Sequence, residues 1–191
     1  MHSKWFEHFA EQLCDFITRS EDARSHGQDR GTAEKAEFNR LALDLFRMQY
    51  EAVPPYRTWC AAQGVKPHAV SDWSQIPAIP TAAFKEHALT SIEPGHRVVA
   101  FHSSRTASDR PSVHWHDADS LRLYEISVSS WFRPHLLPDR ETADRAPFRW
   151  LALVPPPDLA PHSSLVHMIA TVIRRFGGRH AVFAGRLADG H

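Results

Sequence analysis

A strand, a helix and a second strand follow one another near the carboxyl end of the chain, and this succession constrains the fold more than any other feature. Residues 149–154 (RWLALV) are continuously apolar after the arginine, which is typical of a buried strand in a parallel sheet. Ser163 or Ser164 can cap a helix over 165–176, and residues 180–184 (HAVFA) predict the second strand. A helix between two strands predicts a crossover connection, and therefore parallel strands.

Apolar residues recur at intervals of three and four in the first third of the chain. This spacing predicts amphipathic helices over residues 3–18 and 37–52, and a short helix over 56–63 that Gly64 ends. Residues 21–35 (EDARSHGQDRGTAEK) have only alanines as apolar residues, so little there can be buried to offset the entropy of ordering the chain. We therefore predict a mobile loop between the first two helices.

Two short strands are predicted in the middle of the chain. Residues 97–102 (RVVAFH) and 112–116 (SVHWH) have the apolar and β-branched content of strands, and the polar residues 103–111 join them. Asp117 is a suitable N-cap for a helix over 118–133.

Together these elements predict an α/β fold in which N-terminal helices precede a mixed sheet with crossover helices. We expect a helical region over residues 1–95 and an α/β portion over residues 96–191.

The composition excludes several classes of function. The 191 residues carry 22 Lys and Arg against 22 Asp and Glu, and this net charge of zero offers no electrostatic footprint for nucleic acid. No apolar run approaches the roughly 18 to 20 residues that span a bilayer, and the first residues lack the apolar core of a signal peptide. We expect a cytoplasmic protein with no nucleic-acid partner and no membrane span.

The cysteines and histidines are further candidates for chemistry. Cys14 and Cys60 have no neighbouring ligands at metal-site spacing, so we interpret both as reduced thiols that pack as small apolar residues. His114 and His116 share one face of a strand and could supply two metal ligands. No third ligand is evident, so surface or packing histidines are the better interpretation and no metal site is assigned. The 14 histidines predict sensitivity to acid.

The polar loop between the two short strands is rich in hydroxyl groups over Ser103–Ser108 (SSRTAS). Such a loop can cradle a phosphate group with its hydroxyls and backbone N–H donors. A Ser- and Thr-rich hairpin loop is more often a solvated connection, and the spacing alone leaves both interpretations open.

Longer segments around this loop resemble a known family. They are FNRLALDLFRMQYEAVPPYRTWC (38–60), DWSQIPAIPTAAFKE (72–86), FHSSRTASDRPSVHWHDADSLRLYE (101–125) and PPPDLAPHSSLVHMIATVIRRFG (155–177). In this order they resemble the LuxE-type acyl-protein synthetases, relatives of the acyl-adenylate-forming ligases. The resemblance implies an enzyme that uses ATP and Mg²⁺ to activate a long-chain fatty acid as an acyl-adenylate. The acyl group then passes to a protein acceptor, which in the family supplies fatty aldehyde for bioluminescence.

The resemblance also implies a phosphate-binding loop, which in the family reads Ser-Ser-Gly-Thr-Thr. Arg105 stands where the glycine is expected, and Ala107 stands where the second threonine is expected. A glycine lets the backbone approach a phosphate closely, whereas Arg105 either blocks this approach or adds a positive charge to it. No catalytic residue is assigned, and the candidate nucleotide-binding residues are Ser103, Ser104, Arg105, Thr106 and Ser108.

Three other residues resemble parts of the family's site. Ser163 and Ser164 match a stretch that lines the acyl or nucleotide site, although a helix N-cap equally explains a serine there. Lys85 matches a position near the site entrance, but a lone lysine on a short helix is more typical of solvated surface.

The family continues beyond the point at which this sequence stops, and its acyl-accepting cysteine lies in that later part. We therefore expect little or no acyl-adenylating activity from this chain alone. The alternative is a non-catalytic module that docks on a protein partner completing the fold, or a remnant of such an enzyme. A sheet left incomplete would have unpaired edges and uncovered apolar surface, which favour association.

Overall fold

The computed structural model describes residues 2–25, 31–103, 111–137 and 148–186. The helices and strands, in chain order, are α1 (His2–Ser25), α2 (Gly31–Ala52), α3 (Pro54–Ala62), α4 (Ala83–Glu86), β1 (Val99–His102), β2 (Val113–His116), α5 (Ala118–Leu136), β3 (Phe148–Ala152), α6 (Ser164–Phe176) and β4 (Gly177–Phe183). Single turns of 3-10 helix lie at Pro67–Ala69, Trp73–Gln75 and Pro94–His96. The coarse α/β class is confirmed.

The chain divides into two compact units, which we describe separately. The helix–hairpin unit is Gly27–Asp117, and the crossover unit combines Met1–His26 with Ala118–His191. This grouping differs from the boundary after residue 95 that the sequence pattern suggested. The amino-terminal helix α1 belongs to the same unit as the last strands because it packs along α5.

Most of the predicted loop over residues 21–35 is helical, so that prediction was wrong for the part that the structure describes. Helix α1 continues through Glu21–Ser25, and α2 already begins at Gly31. Ala, Glu, Lys and Arg have high intrinsic helix propensity, and adding such residues to a helix that has nucleated requires no further nucleation. Residues 26–30 lie outside the described residues.

The helix–hairpin unit is built on a core between α2 and α3. Pro54 and Pro55 occupy the first turn of α3, where a missing backbone N–H costs nothing, and Gly64 follows the helix with φ +70°. The prediction that Gly64 ends this helix is confirmed. The buried residues of the core are Leu43, Phe46, Val53, Tyr56, Cys60 and Val70.

Side-chain hydrogen bonds attach the extended segments of this unit to its helices. The Tyr56 hydroxyl donates to the carbonyl of Pro77 over 2.8 Å, and the Trp59 indole N–H donates to that of Ala78 over 3.0 Å. On α2, the amide of Asn39 donates to the Ser71 carbonyl and accepts from the backbone N–H of Trp73. Because extended chain has few backbone partners of its own, these bonds determine its path.

Strands β1 and β2 form an antiparallel hairpin, as the sequence predicted. Val99 pairs with His116, and Phe101 pairs with His114. Residues that lie opposite one another share a face, so these four side chains lie on one side of the hairpin.

The crossover unit contains the strand–helix–strand succession that the sequence predicted. Strands β3 and β4 are parallel neighbours and α6 connects them. The ring of Phe132 on α5 lies 6.1 Å from the rings of both Trp150 and Phe176, so α5 packs on the same side as α6. The buried Ser130 of α5 donates a hydrogen bond to Glu21 of α1 over 2.9 Å.

The predicted single mixed sheet is not observed among the described residues. The structure instead has one antiparallel pair, β1 and β2, and one separate parallel pair, β3 and β4. The strand patterns were identified correctly, but a pattern of apolar residues does not specify which strands pair. No helix in the described parts of the chain is both long enough and apolar enough to cross a membrane.

Candidate functional site

The base of the predicted phosphate-binding loop is closed by Ser103 and Ser112. The backbone N–H of Ser103 donates to the Ser112 carbonyl over 3.0 Å, and the Ser103 hydroxyl oxygen accepts from the Ser112 backbone N–H over 2.9 Å. Ser103 is exposed, and its hydroxyl still has a hydrogen to donate. The side chain therefore closes the hairpin and faces solvent at the mouth of the loop.

The other residues of the loop lie outside the described residues. These are Ser104, Arg105, Thr106 and Ser108 of the candidate nucleotide site, and Ala107 between them. Of the candidate nucleotide-binding residues, the structure therefore positions Ser103 alone.

The histidines of β2 belong to an aromatic cluster. The rings of His114 and His116 are 4.7 Å apart, with Phe84 lying 6.1 Å from His114 and Phe101 lying 5.2 Å from His116. His116 is buried, and partial desolvation lowers the pKa of His114. The prediction that these side chains share one face is confirmed.

The surroundings of this histidine pair favour packing over metal binding. Phenylalanine rings flank the pair on both sides. Within residues 2–25, 31–103, 111–137 and 148–186 there is no group of three or more His, Cys, Asp or Glu that could hold a metal ion. Two imidazoles alone leave half of a tetrahedral zinc ion's four coordination positions unfilled.

The amino terminus of α6 shows why Ser163 stands where it does. Its hydroxyl accepts a hydrogen bond from the Val166 backbone N–H, so Ser163 is the N-cap. Ser164 begins the helix, and its carbonyl accepts a hydrogen bond from the Tyr124 hydroxyl over 3.1 Å. The capping explanation is confirmed, and a role in lining a site stays a prediction.

A charged cluster that the sequence patterns did not indicate joins α5 to α6. One carboxylate oxygen of Glu125 accepts hydrogen bonds from His167 over 2.8 Å and from Arg174 over 3.0 Å. Arg174 also donates to the Thr171 hydroxyl. His167, Thr171 and Arg174 are spaced at i, i+4 and i+7, which places them on one helix face and is the signal that could have identified them.

Lys85 and the two cysteines complete the set of residues that the sequence singled out. Lys85 is half-buried on α4, so it is less solvated than is typical of a lone lysine on a short helix, and a place near a site entrance stays a prediction. Cys14 and Cys60 are both free and buried, and burial raises the pKa of each thiol. The prediction of reduced, packed cysteines is confirmed.

One face of the parallel strand pair, which we call the outer face, is exposed. Leu151 and Val182 are register partners and are 67% and 59% exposed, and Leu153 is 80% exposed. The intervening residues, such as the buried Ala152, point towards the helices. The sequence predicted a strand buried on both faces, and this was wrong for the outer one because α5 and α6 cover the same side.

Comparison of the chain with known protein families, with curated proteins and with solved structures finds no match. The likeness to the acyl-protein synthetases therefore depends on the sequence segments themselves.

Proposed function

We propose that this chain is part of an ATP-dependent acyl-protein synthetase of the adenylate-forming kind, which activates a long-chain fatty acid for transfer to a protein acceptor. The observation that carries the proposal is the hairpin closed by Ser103 and Ser112. The hairpin supports the proposal because its two antiparallel strands are connected by the Ser- and Thr-rich loop, and because α5 follows its second strand.

The proposed chemistry begins with a carboxylate, which is a poor electrophile. Attack of a carboxylate oxygen on the α-phosphorus of Mg·ATP would release pyrophosphate and form the acyl-adenylate, from which AMP leaves when the acceptor takes the acyl group. Attack on the α-phosphorus depends mainly on positioning and charge neutralisation, so a loop that orients the phosphates is the central requirement. The exposed Ser103 hydroxyl suits one phosphate contact, and Arg105 would add a positive charge if its side chain does not obstruct the backbone.

The test is calorimetric titration of the purified chain with Mg·ATP, with Arg105→Gly as the informative variant. Binding by the natural chain, or binding gained by Arg105→Gly, supports the proposal. Arg110→Gly is the matched control, because it removes the same charge from the same loop at a position where the family pattern expects no glycine. If folded samples of all three proteins fail to bind, nucleotide binding by this chain is excluded.

Activity is measured separately as ATP-dependent acyl-hydroxamate formation with a long-chain fatty acid. We expect little or none from the chain alone, because Arg105 and Ala107 depart from the family's loop. Turnover by the purified chain would contradict this expectation.

The second candidate function is a partner-binding module, and the outer face is the observation that favours it. Apolar residues exposed together on a sheet mark an interaction surface or promote association. Without its partner, we expect the chain to self-associate increasingly with concentration. If sedimentation equilibrium gives the mass of a monomer over about a hundredfold range of concentration, this candidate function is contradicted.

A further inference from the structure

The outer face has an apolar centre. Alternate residues of the strands and their extensions are exposed on it: Arg149, Leu151 and Leu153 from β3, and His180, Val182 and Ala184 from β4. The pairing continues past the strands, because the Ala184 backbone N–H donates to the Ala152 carbonyl over 2.8 Å. The apolar centre is therefore held on ordered backbone.

A parallel strand pair with a bare face is an incomplete arrangement. Parallel sheets have both faces covered, and the covering elements are helices because crossover connections place helices there. In this unit α6 supplies the cover on the inner side together with α5. We therefore expect the element that covers the outer face to be a helix lying along the strands.

The formal charges on the two strands and their extensions are positive. Exposed Arg149 lies near the amino end of β3, and exposed Arg186 follows the carboxyl end of β4. Neither residues 148–154 nor residues 177–186 contain an Asp or Glu. We call Arg149 and Arg186 the basic rim. A partner that complements it carries carboxylates beside its apolar stripe.

We propose that the outer face docks an amphipathic helix of a partner protein, whose apolar stripe covers the exposed leucines and valine and whose acidic flanks meet the basic rim. Recognition follows the usual rule for a helix laid on an apolar surface, with anchors at i, i+3, i+4 and i+7. This inference rests on the partner-binding candidate function and is independent of nucleotide binding.

The test uses the full chain and synthetic helical peptides of about five turns, followed by fluorescence anisotropy. The first peptide has a leucine stripe flanked by glutamates, the second the same stripe flanked by lysines, and the third a serine stripe flanked by glutamates. We expect the first to bind, the second to bind at least about tenfold more weakly, and the third not to bind. Equal binding of the first two peptides would overturn the claim that the partner helix has acidic flanks. If the first peptide does not bind, the whole proposal is overturned.

Substitutions locate the binding surface. Leu151→Thr combined with Val182→Thr should weaken binding of the glutamate-flanked peptide at least about tenfold, because it removes apolar contact area. Threonine suits a strand, so the melting temperature should stay close to that of the natural chain. Leu136→Thr is the matched control, since Leu136 is 64% exposed on α5, and it should leave binding unchanged. Binding that survives the double substitution would overturn the assignment to the outer face.

Measurements of self-association distinguish a failure of the helix-docking proposal from a failure of the partner-binding function on which it rests. The glutamate-flanked peptide should return an associating chain to the monomer. The double substitution could instead dissociate a stoichiometric dimer that the peptide does not displace. That result would identify a second copy of the chain as the occupant of the outer face and would overturn the proposal of a partner helix. A chain that neither associates nor binds the peptide contradicts the partner-binding function itself.

Discussion

The hydroxyl of Tyr56 connects α3 to an extended segment, and its removal should have a measurable cost. In Tyr56→Phe the ring keeps its edge-on contact with Phe46, but the Pro77 carbonyl loses its donor. We expect the free energy of unfolding to fall by about 1 kcal/mol in urea denaturation. Tyr50→Phe is the control, because Tyr50 also contacts Phe46 edge-on and its substitution preserves the bond to Pro77. Equal effects of the two substitutions would contradict the assigned role.

The two thiols should be inert in the folded protein. Cys60 is 0% exposed and Cys14 is 4% exposed, and burial raises the pKa of both, so little reactive thiolate is present. We expect no rapid reaction with a thiol reagent such as Ellman's at pH 8, and reaction of both cysteines after denaturation. Fast modification of either one in the native state would indicate an accessible nucleophile that packing does not explain.

His114 should make the protein less stable in acid. Partial desolvation lowers its pKa below the ordinary value of 6.5, so the folded state binds the proton less readily than the unfolded state. The stability associated with neutral His114 is complete above pH 6.5 and is lost as the pH falls through 6.5 towards the lower folded-state pKa. Around His114, β2 itself brings the contacting ring of His116, and α4 brings Lys85 and Glu86. Strand β1 places Phe101 opposite His114, whereas His102 pairs with Val113 and lies on the other face.

This dependence can be measured as urea midpoints between pH 8 and pH 5.5. We expect His114→Gln to flatten the fall in the midpoint below pH 6.5, since glutamine does not titrate. His68→Gln, at an exposed position of the same unit, should leave the profile unchanged. An unchanged profile in His114→Gln would show that other groups determine the acid sensitivity.

At the scale of an element, the turn from α6 into β4 depends on Gly177, because there is no room for a side chain at this position. A Cβ added at Gly177 would collide with the Ile173 carbonyl oxygen, which is backbone and cannot move aside, and would lie 3.1 Å from the Trp150 indole nitrogen. We expect Gly177→Ala to lower the free energy of unfolding by about 1 to 3 kcal/mol, the range for overpacking.

Gly95→Ala is the matched control, because a Cβ there meets nothing within 4 Å. Its effect on thermal or urea unfolding should stay within about 0.5 kcal/mol, as for ordinary surface substitutions. Equal stability of Gly177→Ala and Gly95→Ala would contradict the close packing of helix against strand at this turn.

The elements whose signals are local were predictable from the sequence. The period of the apolar residues identified α1, α2 and α6, and the Ser163 cap marked where α6 begins. The extent of α1 and α2 was not predictable from burial, because the polar residues that lengthen them are favoured by intrinsic propensity instead. The bond from Tyr56 to Pro77 joins residues 21 positions apart, and no local pattern encodes such a contact.

The candidate site was predictable to a smaller extent. The two strands around the hydroxyl-rich loop and the shared face of His114 and His116 follow from strand periodicity. The cluster at Glu125 requires two helices to meet, which depends on tertiary packing. Sequence could recognise RWLALV as an apolar strand, but whether each face of that strand is covered is a property of the whole molecule.

At the scale of the whole molecule, solubility should reflect both the outer face and the net charge. Equal numbers of acidic and basic residues leave no net charge near pH 7, so net charge does not keep copies of the chain apart. We expect light scattering from samples near pH 7 to rise steeply with protein concentration. Leu151→Thr with Val182→Thr should suppress the scattering at pH 7, and Leu136→Thr should not. Scattering at pH 7 that is indifferent to the double substitution would show that the outer face takes no part in association.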